Sequence, residues 1–274
     1  MSKYIEQTGE RIIAINNFHT KEDYIIYLKH LFAYEFAKQY LNENLLVLDV
    51  GCGEGYGASY ISDTLRVMAV DVNKEIIKRA RIKYANRSVN FMVYDGINLP
   101  FANESFDAII SFQVIEHVED DKRFISEIYR ILKNKGLFII TTPNKRNRLG
   151  FRQKPWNIFH KREYNFKELK TVLKRCFTNV EIKGISAENN IKKIELDRVK
   201  SYIYADIPFV TPLRRAMALL WHRLRIKISK EIANRNRFVE NQLDFANQYK
   251  IESFFVSDKC IGDELDLLGI CKKE

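Results

Sequence analysis

Polar and apolar positions along the chain follow two alternating periods. A short, nearly continuous apolar run at Leu45–Val50 has the length of a strand buried on both faces, and further strands are predicted at Arg66–Val70, Val89–Tyr94, Phe106–Phe112, Leu137–Thr142 and Asn179–Ile185. Between them, apolar residues return every three or four positions, which predicts helices. The first spans residues 20–41, with Thr20 and Asp23 at its start and Tyr27, Leu31, Tyr34, Ala37 and Leu41 on one face. Others follow over about Ala58–Thr64, Lys74–Tyr84, Glu119–Leu132 and Asn165–Cys176. Within Glu119–Leu132, Phe124, Ile125, Ile128, Ile131 and Leu132 share a face, and Asn134-Lys135-Gly136 marks the stop. Strands and helices alternating at this spacing predict a doubly wound, mostly parallel α/β sheet.

The alternation breaks after residue 185. Residues 186–250 are charged and helical in pattern, and Phe254–Val256 and Leu265–Cys271 then look extended. This divides the chain into an N-terminal helical cap (1–44), a core (45–185 and 251–274) and a basic helical insertion (186–250). Within the insertion, Leu213, Met217, Leu220, Trp221, Leu224 and Ile228 form a stripe at helical spacing. Eight Lys/Arg lie between Pro208 and Phe238 against one acid, Glu231, so most of the net charge of +10 is local. Such a helix suits a lid packed on the core, an acceptor-binding element, or peripheral contact with an anionic membrane.

The chain is organised around LLVLDVGCGEGYG, residues 45–57. A buried strand running into glycines 51, 53, 55 and 57 is the pattern of a ligand-binding βα turn, in which bare amides at a helix N-terminus meet the ligand. Asp49 at this loop would repel a pyrophosphate but suits a ligand carrying positive charge. The spacing Gly51-x-Gly53-x-Gly55 also departs from the dinucleotide fingerprint G-x-G-x-x-G, whose third glycine position holds Tyr56. S-adenosylmethionine, with a sulfonium, an ammonium and no phosphate, fits.

Two further acids end two further strands. Asp71 can accept from vicinal ribose hydroxyls or cap the following helix, and Asp95, before Gly96, can accept from an adenine amine. In an open parallel sheet the carboxyl ends of the strands form the binding crevice, so Asp49, Asp71 and Asp95 are expected to converge there. Cys52, Val72, Phe112 and Gln113 are expected to line the same ligand. Thr8-Gly9-Glu10-Arg11 reads as a polar turn with only a weak claim to ligand contact.

Composition narrows the class. With 274 residues and 46% hydrophobic content the chain can bury a sizeable core. The four cysteines (52, 176, 260, 271) form no C-x-x-C pair and read as reduced thiols of a cytoplasmic protein. Glu6, Glu10 and Arg11 interrupt the first twenty residues and no apolar run approaches 18 residues, so neither a secretory signal nor a membrane span is expected. A location at the inner membrane surface is compatible with the basic segment.

With these residues in place the chain resembles the class I S-adenosylmethionine-dependent methyltransferases over about residues 45–185 and the last strand. VLDVGCGEGYG is similar to the family's first motif, Asp71 to its second-strand acid, Asp95-Gly96 to its third, FDAIISFQVIEHV to its fourth, and RILKNKGLFIITTPN to the segment around strand five. The resemblance implies a seven-stranded sheet in the order 3-2-1-4-5-7-6 with the seventh strand antiparallel, S-adenosylmethionine as cofactor and S-adenosylhomocysteine as product. TGERI and WNIFHKREYNFKELK resemble the branch associated with glycan, lipid or quinone biosynthesis. Some quinone O-methyltransferases carry E-x-x-E-H after strand four and are thought to bind a divalent metal there. The first position here is Gln113, so no metal is expected.

A sulfonium methyl is already activated, which leaves acceptor placement and acceptor deprotonation as the tasks. His117 and His160, in loops at the carboxyl edge, are the candidate bases, each of which could equally order its loop or touch cofactor. Glu116 is read as supporting the helix start. Neither an N/D-P-P-Y/F tetrad nor a Pro-Cys nucleophile follows strand four, so oxygen methylation of a small-molecule, glycan or lipid-linked acceptor leads. Nucleic acid is not the expected partner, though RNA methylation through the basic segment and cofactor binding without turnover stand as alternatives.

Overall fold

The computed structural model describes residue 18 and residues 20–149, 154–155, 157, 159–205, 244–258 and 262–274. The basic stripe from Leu213 to Ile228 and the Thr8–Arg11 turn lie outside the described residues. Strands β1 (Leu46–Val50), β2 (Arg66–Asp71), β3 (Val89–Val93), β4 (Phe106–Phe112), β5 (Leu132–Pro143), β6 (Asn179–Ala187), β7 (Phe254–Ser257) and β8 (Asp266–Lys272) form one sheet in the order β3-β2-β1-β4-β5-β8-β6-β7. The first five are parallel, and β8 runs antiparallel to both β5 and β6. The last strand thus takes the place expected of it. An eighth strand joins at the edge, where β7 pairs antiparallel with β6 over Gly184–Ala187.

Successive strand residues face opposite layers, so the apolar runs feed two cores. Val47, Val67, Ala69, Ala108 and Ile110 pack with α1 (Lys21–Lys38), α2 (Tyr56–Ile61), α3 (Lys74–Lys83) and α7 (Asn189–Ala205). Their neighbours Leu48, Val50, Val70, Ile109, Phe138 and Ile140 pack with Phe124, Ile125, Ile128 and Ile131 of α4 (Asp121–Ile131) and Leu169 and Leu173 of α6 (Phe166–Leu173). A one-turn helix, α5 (Lys145–Arg148), follows β5.

Several boundaries differ from the sequence reading, for local reasons. β5 begins at Leu132, directly after α4, because Leu132 already pairs with Phe106 across a register shift. Strand β6 runs on to Ala187, and α7 follows at Asn189 with Ile191 in the same core as α1. The buried face of α1 is Ile25, Ile26, Leu28, Lys29, Ala33, Tyr34, Phe36 and Ala37, wider than one stripe because the helix is covered by α2, α7 and the sheet.

The chain leaves β1 toward β2 on one side and returns from β3 to β4 on the other, so the carboxyl ends of β1 and β4 flank the switch in direction. That is where an open α/β sheet forms its crevice.

Candidate active site

A cavity of about 440 Å³ opens at this switch point. It is of the size that holds a small organic ligand. The glycine loop is one wall. Gly51 and Cys52 donate their amides to the carbonyl of Val70 at 2.8 and 3.0 Å, which folds the loop back over the end of β2. Gly51, Gly53 and Gly55 hold φ of 82°, 53° and 78°, the left-handed region that side chains disfavour. A Cβ at Gly53 would meet no described atom within 4 Å, so open space lies over that backbone, whereas one at Gly51 would sit 2.3 Å from Val114.

Asp71 closes the next side. Its Oδ2 accepts the amide of Gly53 at 3.0 Å and its Oδ1 that of Asn73 at 2.9 Å. The carboxylate is thereby aimed and fixed, and it lines the cavity with Val72, Tyr94 and Gly96. Asn73, rather than Asp71, caps α3. Asp95 does not line the cavity. Its carboxylate accepts from the amides of Ile97 and Asn98, which hold it below the usual range and tie up the turn.

Asp49 lies beneath the loop rather than at its mouth. It is fully buried, accepts from Tyr34 Oη through Oδ2 at 2.9 Å, and its Oδ1 has no hydrogen-bond partner. Burial pushes its carboxyl up to about 7, against the hydrogen bond from Tyr34 and together with the charge of Asp71. A buried carboxylate oxygen left unsatisfied beneath the glycine loop suits a cationic ligand, and this orphaned atom is the best sign that S-adenosylmethionine fits here. Gly55, left-handed ahead of α2, makes the turn and does not itself line the cavity.

The opposite wall follows β4. Phe112 packs edge-on against Tyr34 at 4.8 Å. Gln113 holds φ of 58° while its amide donates to Thr141 Oγ1 and Asp266 Oδ2 at 3.1 and 3.0 Å. A non-glycine residue kept in that region at a cavity wall is a strained position over-determined by its partners. Glu116 and His117 come next, in a short 3-10 turn, Ile115–His117. Glu116 does not support α4, whose cap is Asp120; it is buried on the cavity wall and accepts from Thr142 Oγ1 at 3.0 Å.

The two histidines come together although they stand apart in sequence. Their rings meet edge to face with centroids 4.7 Å apart. His117 lines the cavity, whereas His160 sits buried behind it. His117 Nδ1 lies 3.1 Å from the carbonyl of Phe159, and His160 Nδ1 lies 3.0 Å from Glu163 Oε1, which also accepts from Arg148 Nε at 2.9 Å.

The cavity thus gathers Gly51, Cys52, Gly53, Asp71, Val72, Gly96, Phe112, Gln113 and His117, and leaves Asp49, Gly55, Asp95 and His160 off its lining. Sequence reasoning missed the contribution of α1, which supplies Ile26, Lys29, His30 and Tyr34. Lys29 is buried and bonds Asp266 Oδ1 at 2.9 Å and Glu195 Oε1 at 3.3 Å. The available signal was a lysine flanked by Ile25, Ile26 and Leu28 on a helix otherwise reading as apolar on that side.

Residues 48–140 match the family described as the methyltransferase domain. A protein of Mycolicibacterium smegmatis named as a probable S-adenosylmethionine-dependent methyltransferase is 38% identical over 136 residues, 49% of this chain and 52% of that one. The phthiotriol/phenolphthiotriol dimycocerosates methyltransferase of Mycobacterium tuberculosis is 35% identical over 95 residues, 34% of this chain and 35% of that one. The chain therefore spans about half the length, or less, of these curated relatives. Among solved structures, the YcgJ protein of Bacillus subtilis shares the fold with a TM-score of 0.52 at 17% identity, over 89% of this chain and 99% of that one. With the glycine loop, the Asp71 contact and the strand order in hand, residues 48–140 are a methyltransferase domain, similar to that of S-adenosylmethionine-dependent methyltransferases, set within the sheet described above.

Proposed function

We propose that this protein transfers a methyl group from S-adenosylmethionine to a hydroxyl oxygen of a small-molecule, glycan or lipid-linked acceptor. The observation that carries the reading is the two-sided cavity: a glycine loop and a fixed Asp71 on one wall, His117 on the other. The loop amides and Asp71 hold the nucleoside and amino-acid ends of the cofactor, with Asp49 supplying negative charge from beneath. The acceptor enters between α1 and the turn after β4. Its oxygen attacks the methyl carbon in line, the O–CH₃ bond forms as the S–CH₃ bond breaks, and sulfur keeps the electron pair. The bond to the Phe159 carbonyl selects the His117 tautomer with hydrogen on Nδ1, leaving Nε2 to take the hydroxyl proton. Holding the two reactants in that geometry can supply roughly 7–11 kcal/mol of the barrier.

A lipid-linked acceptor is supported by the relative named for phthiotriol dimycocerosates and by the basic segment between Pro208 and Phe238. No helix among the described residues is long and apolar enough to cross a membrane. Such a substrate would then be met at a surface.

The test is thermal unfolding with S-adenosylhomocysteine and, separately, NAD, on wild type and Asp71→Ala, followed by methyl transfer from labelled cofactor to hydroxylated lipid and glycan extracts. Ligand at a hundredfold over its Kd adds about 2.7 kcal/mol, a shift of about 5–10 °C. A shift with S-adenosylhomocysteine alone, reduced in Asp71→Ala, supports the cofactor assignment. A shift with NAD only overturns it. Binding with no product from any hydroxylated extract overturns the acceptor class.

A further inference from the structure

We infer that Lys29, Arg148 and Arg198 anchor a phosphoryl group carried by the acceptor, on the part of the cavity wall built by α1, α5 and α7. Calling that group part of the acceptor rests on the methyl-transfer reading; the anion site itself does not. The three side chains come from three helices, line the cavity, and are none of them more than 8% exposed. Two of them share one carboxylate. Lys29 Nζ lies 3.3 Å from Glu195 Oε1, and Arg198 grips the same group with Nε and Nη2 at 2.7 and 2.8 Å, which fixes the guanidinium plane. Arg148 is tied in through Asp266. Burial pushes the Asp266 carboxyl up while the charges of Lys29 and Arg148 pull it back, and its other oxygen accepts from Gln113 on the cavity wall.

The order of the layers gives the cluster its direction. Among the described residues, the cations line the cavity, whereas Glu195, Asp266 and Glu163 stand off the lining and hold them from behind. A ligand in the cavity therefore meets the positive groups first, although three carboxylates match three cations in number. Stability alone does not account for the arrangement. Apolar residues of similar volume commonly replace buried ion pairs without loss, so three such pairs converging on one wall point to something that they bind. Arginine and lysine held in this way suit oxyanions. A carboxylate offers two coplanar oxygens, which one guanidinium can grip by itself; cations arriving from three elements match the tetrahedral oxygens of a phosphoryl group.

The anchor is also built on the same frame as the base. Glu163 Oε1 accepts from Arg148 Nε at 2.9 Å and lies 3.0 Å from His160 Nδ1, and the His160 ring packs edge to face against His117. An acceptor held by its phosphoryl group at Arg148 thus has its position set relative to His117, which takes the hydroxyl proton. The anchor selects for a charged substituent at one end of the acceptor, and the histidine acts at the other.

The experiment is calorimetric titration of the protein, saturated with S-adenosylhomocysteine, with inorganic phosphate. Saturable binding of one phosphate per chain is expected, weakened about tenfold or more in Arg148→Gln and in Arg198→Gln. Dihexanoyl phosphatidic acid below its micelle concentration separates the sources of the group. Tighter binding than inorganic phosphate, with the same loss in both variants, assigns the anchor to a lipid headgroup; binding no tighter assigns it to a soluble phosphate ester, and either supports the inference. No saturable phosphate binding, or binding that both variants leave unchanged, overturns it. Phosphate binding seen only before S-adenosylhomocysteine is added also overturns it, because the cations then serve the cofactor's own carboxylate. The thermal shift with S-adenosylhomocysteine, retained in both variants, reports that the fold and the cofactor site persist. Its absence from the wild type would sink the methyltransferase reading instead, so the two failures are distinct. If a variant does not fold, the wild-type titrations with and without S-adenosylhomocysteine decide the matter.

Discussion

Tyr34 Oη donates to Asp49 Oδ2 at 2.9 Å, joining the N-terminal helix to the strand beneath the glycine loop. The carboxylate so held is fully buried and titrates near 7 because burial disfavours its charge. A carboxyl whose folded pKa is raised helps the folded state below its unfolded value of about 3.9 and loses that help as pH rises toward about 7. The span is worth at most about 4 kcal/mol. Asp49→Asn should therefore flatten stability against pH between 5 and 8, and leave the unliganded protein at pH 8 at least as stable as wild type. It should also weaken S-adenosylhomocysteine binding about tenfold. Urea unfolding across that range, paired with calorimetry, checks both; a variant with the wild-type pH slope would contradict the account.

The same titration makes cofactor discrimination depend on pH. S-adenosylmethionine carries a sulfonium that its product lacks, so ionised Asp49 favours the donor over the product. The ratio of their affinities should rise as pH passes from 6 to 8 in wild type and stay level in Asp49→Asn. Parallel titrations at those two pH values measure it.

Two glycines separate packing from ligand approach. A Cβ at Gly57 would stand 2.0 Å from the Tyr34 ring, so Gly57→Ala forces α1 away from α2. Overpacking of this kind costs about 1–3 kcal/mol, read as a fall in melting temperature without ligand. Gly53→Ala meets no described atom, and its cost is the left-handed backbone, about 1–2 kcal/mol. Its larger effect should be on S-adenosylhomocysteine affinity, because the new methyl fills space over the loop.

Lys29 ties three elements together through Asp266 and Glu195, all of them buried. Removing one partner of such a network leaves uncompensated charge and costs about 3–5 kcal/mol. Lys29→Met should lower the melting temperature accordingly, while Lys29→Met combined with Asp266→Leu should recover part of the loss. Absence of any recovery would mean that Asp266 is needed for another reason, such as holding Gln113.

The frame of the fold was readable because it rests on local pattern. Each apolar run became a strand, and Asp71 stands where the pattern put it, since strand ends and glycine turns are set by neighbours in sequence. The site was legible on one side only. Asp95 ends its strand as expected, yet two amides of its own turn take its carboxylate, a competition that strand position does not reveal. Asp49 shares the alternation of a strand buried on both faces, which places it under the loop. Contacts made by α1, β8 and the loop at residue 160 depend on tertiary packing; Lys29, Asp266 and Glu163 carry no local mark of it beyond charge among apolar neighbours.

Strand β8 also bears on how the molecule is made. It stands between β5 and β6 and pairs with both, so Leu137 waits for Lys272 and Asn179 waits for the same residue. Until that segment arrives, β6 and its edge partner β7 have no backbone link to the five parallel strands. Closing a loop of this length carries an entropic cost of about 4 kcal/mol beyond the constant for short loops. Joining of the two parts of the sheet is thus expected late in folding, after the half that carries the glycine loop has taken shape, and the unpaired edge of β5 is the surface that needs protection during synthesis.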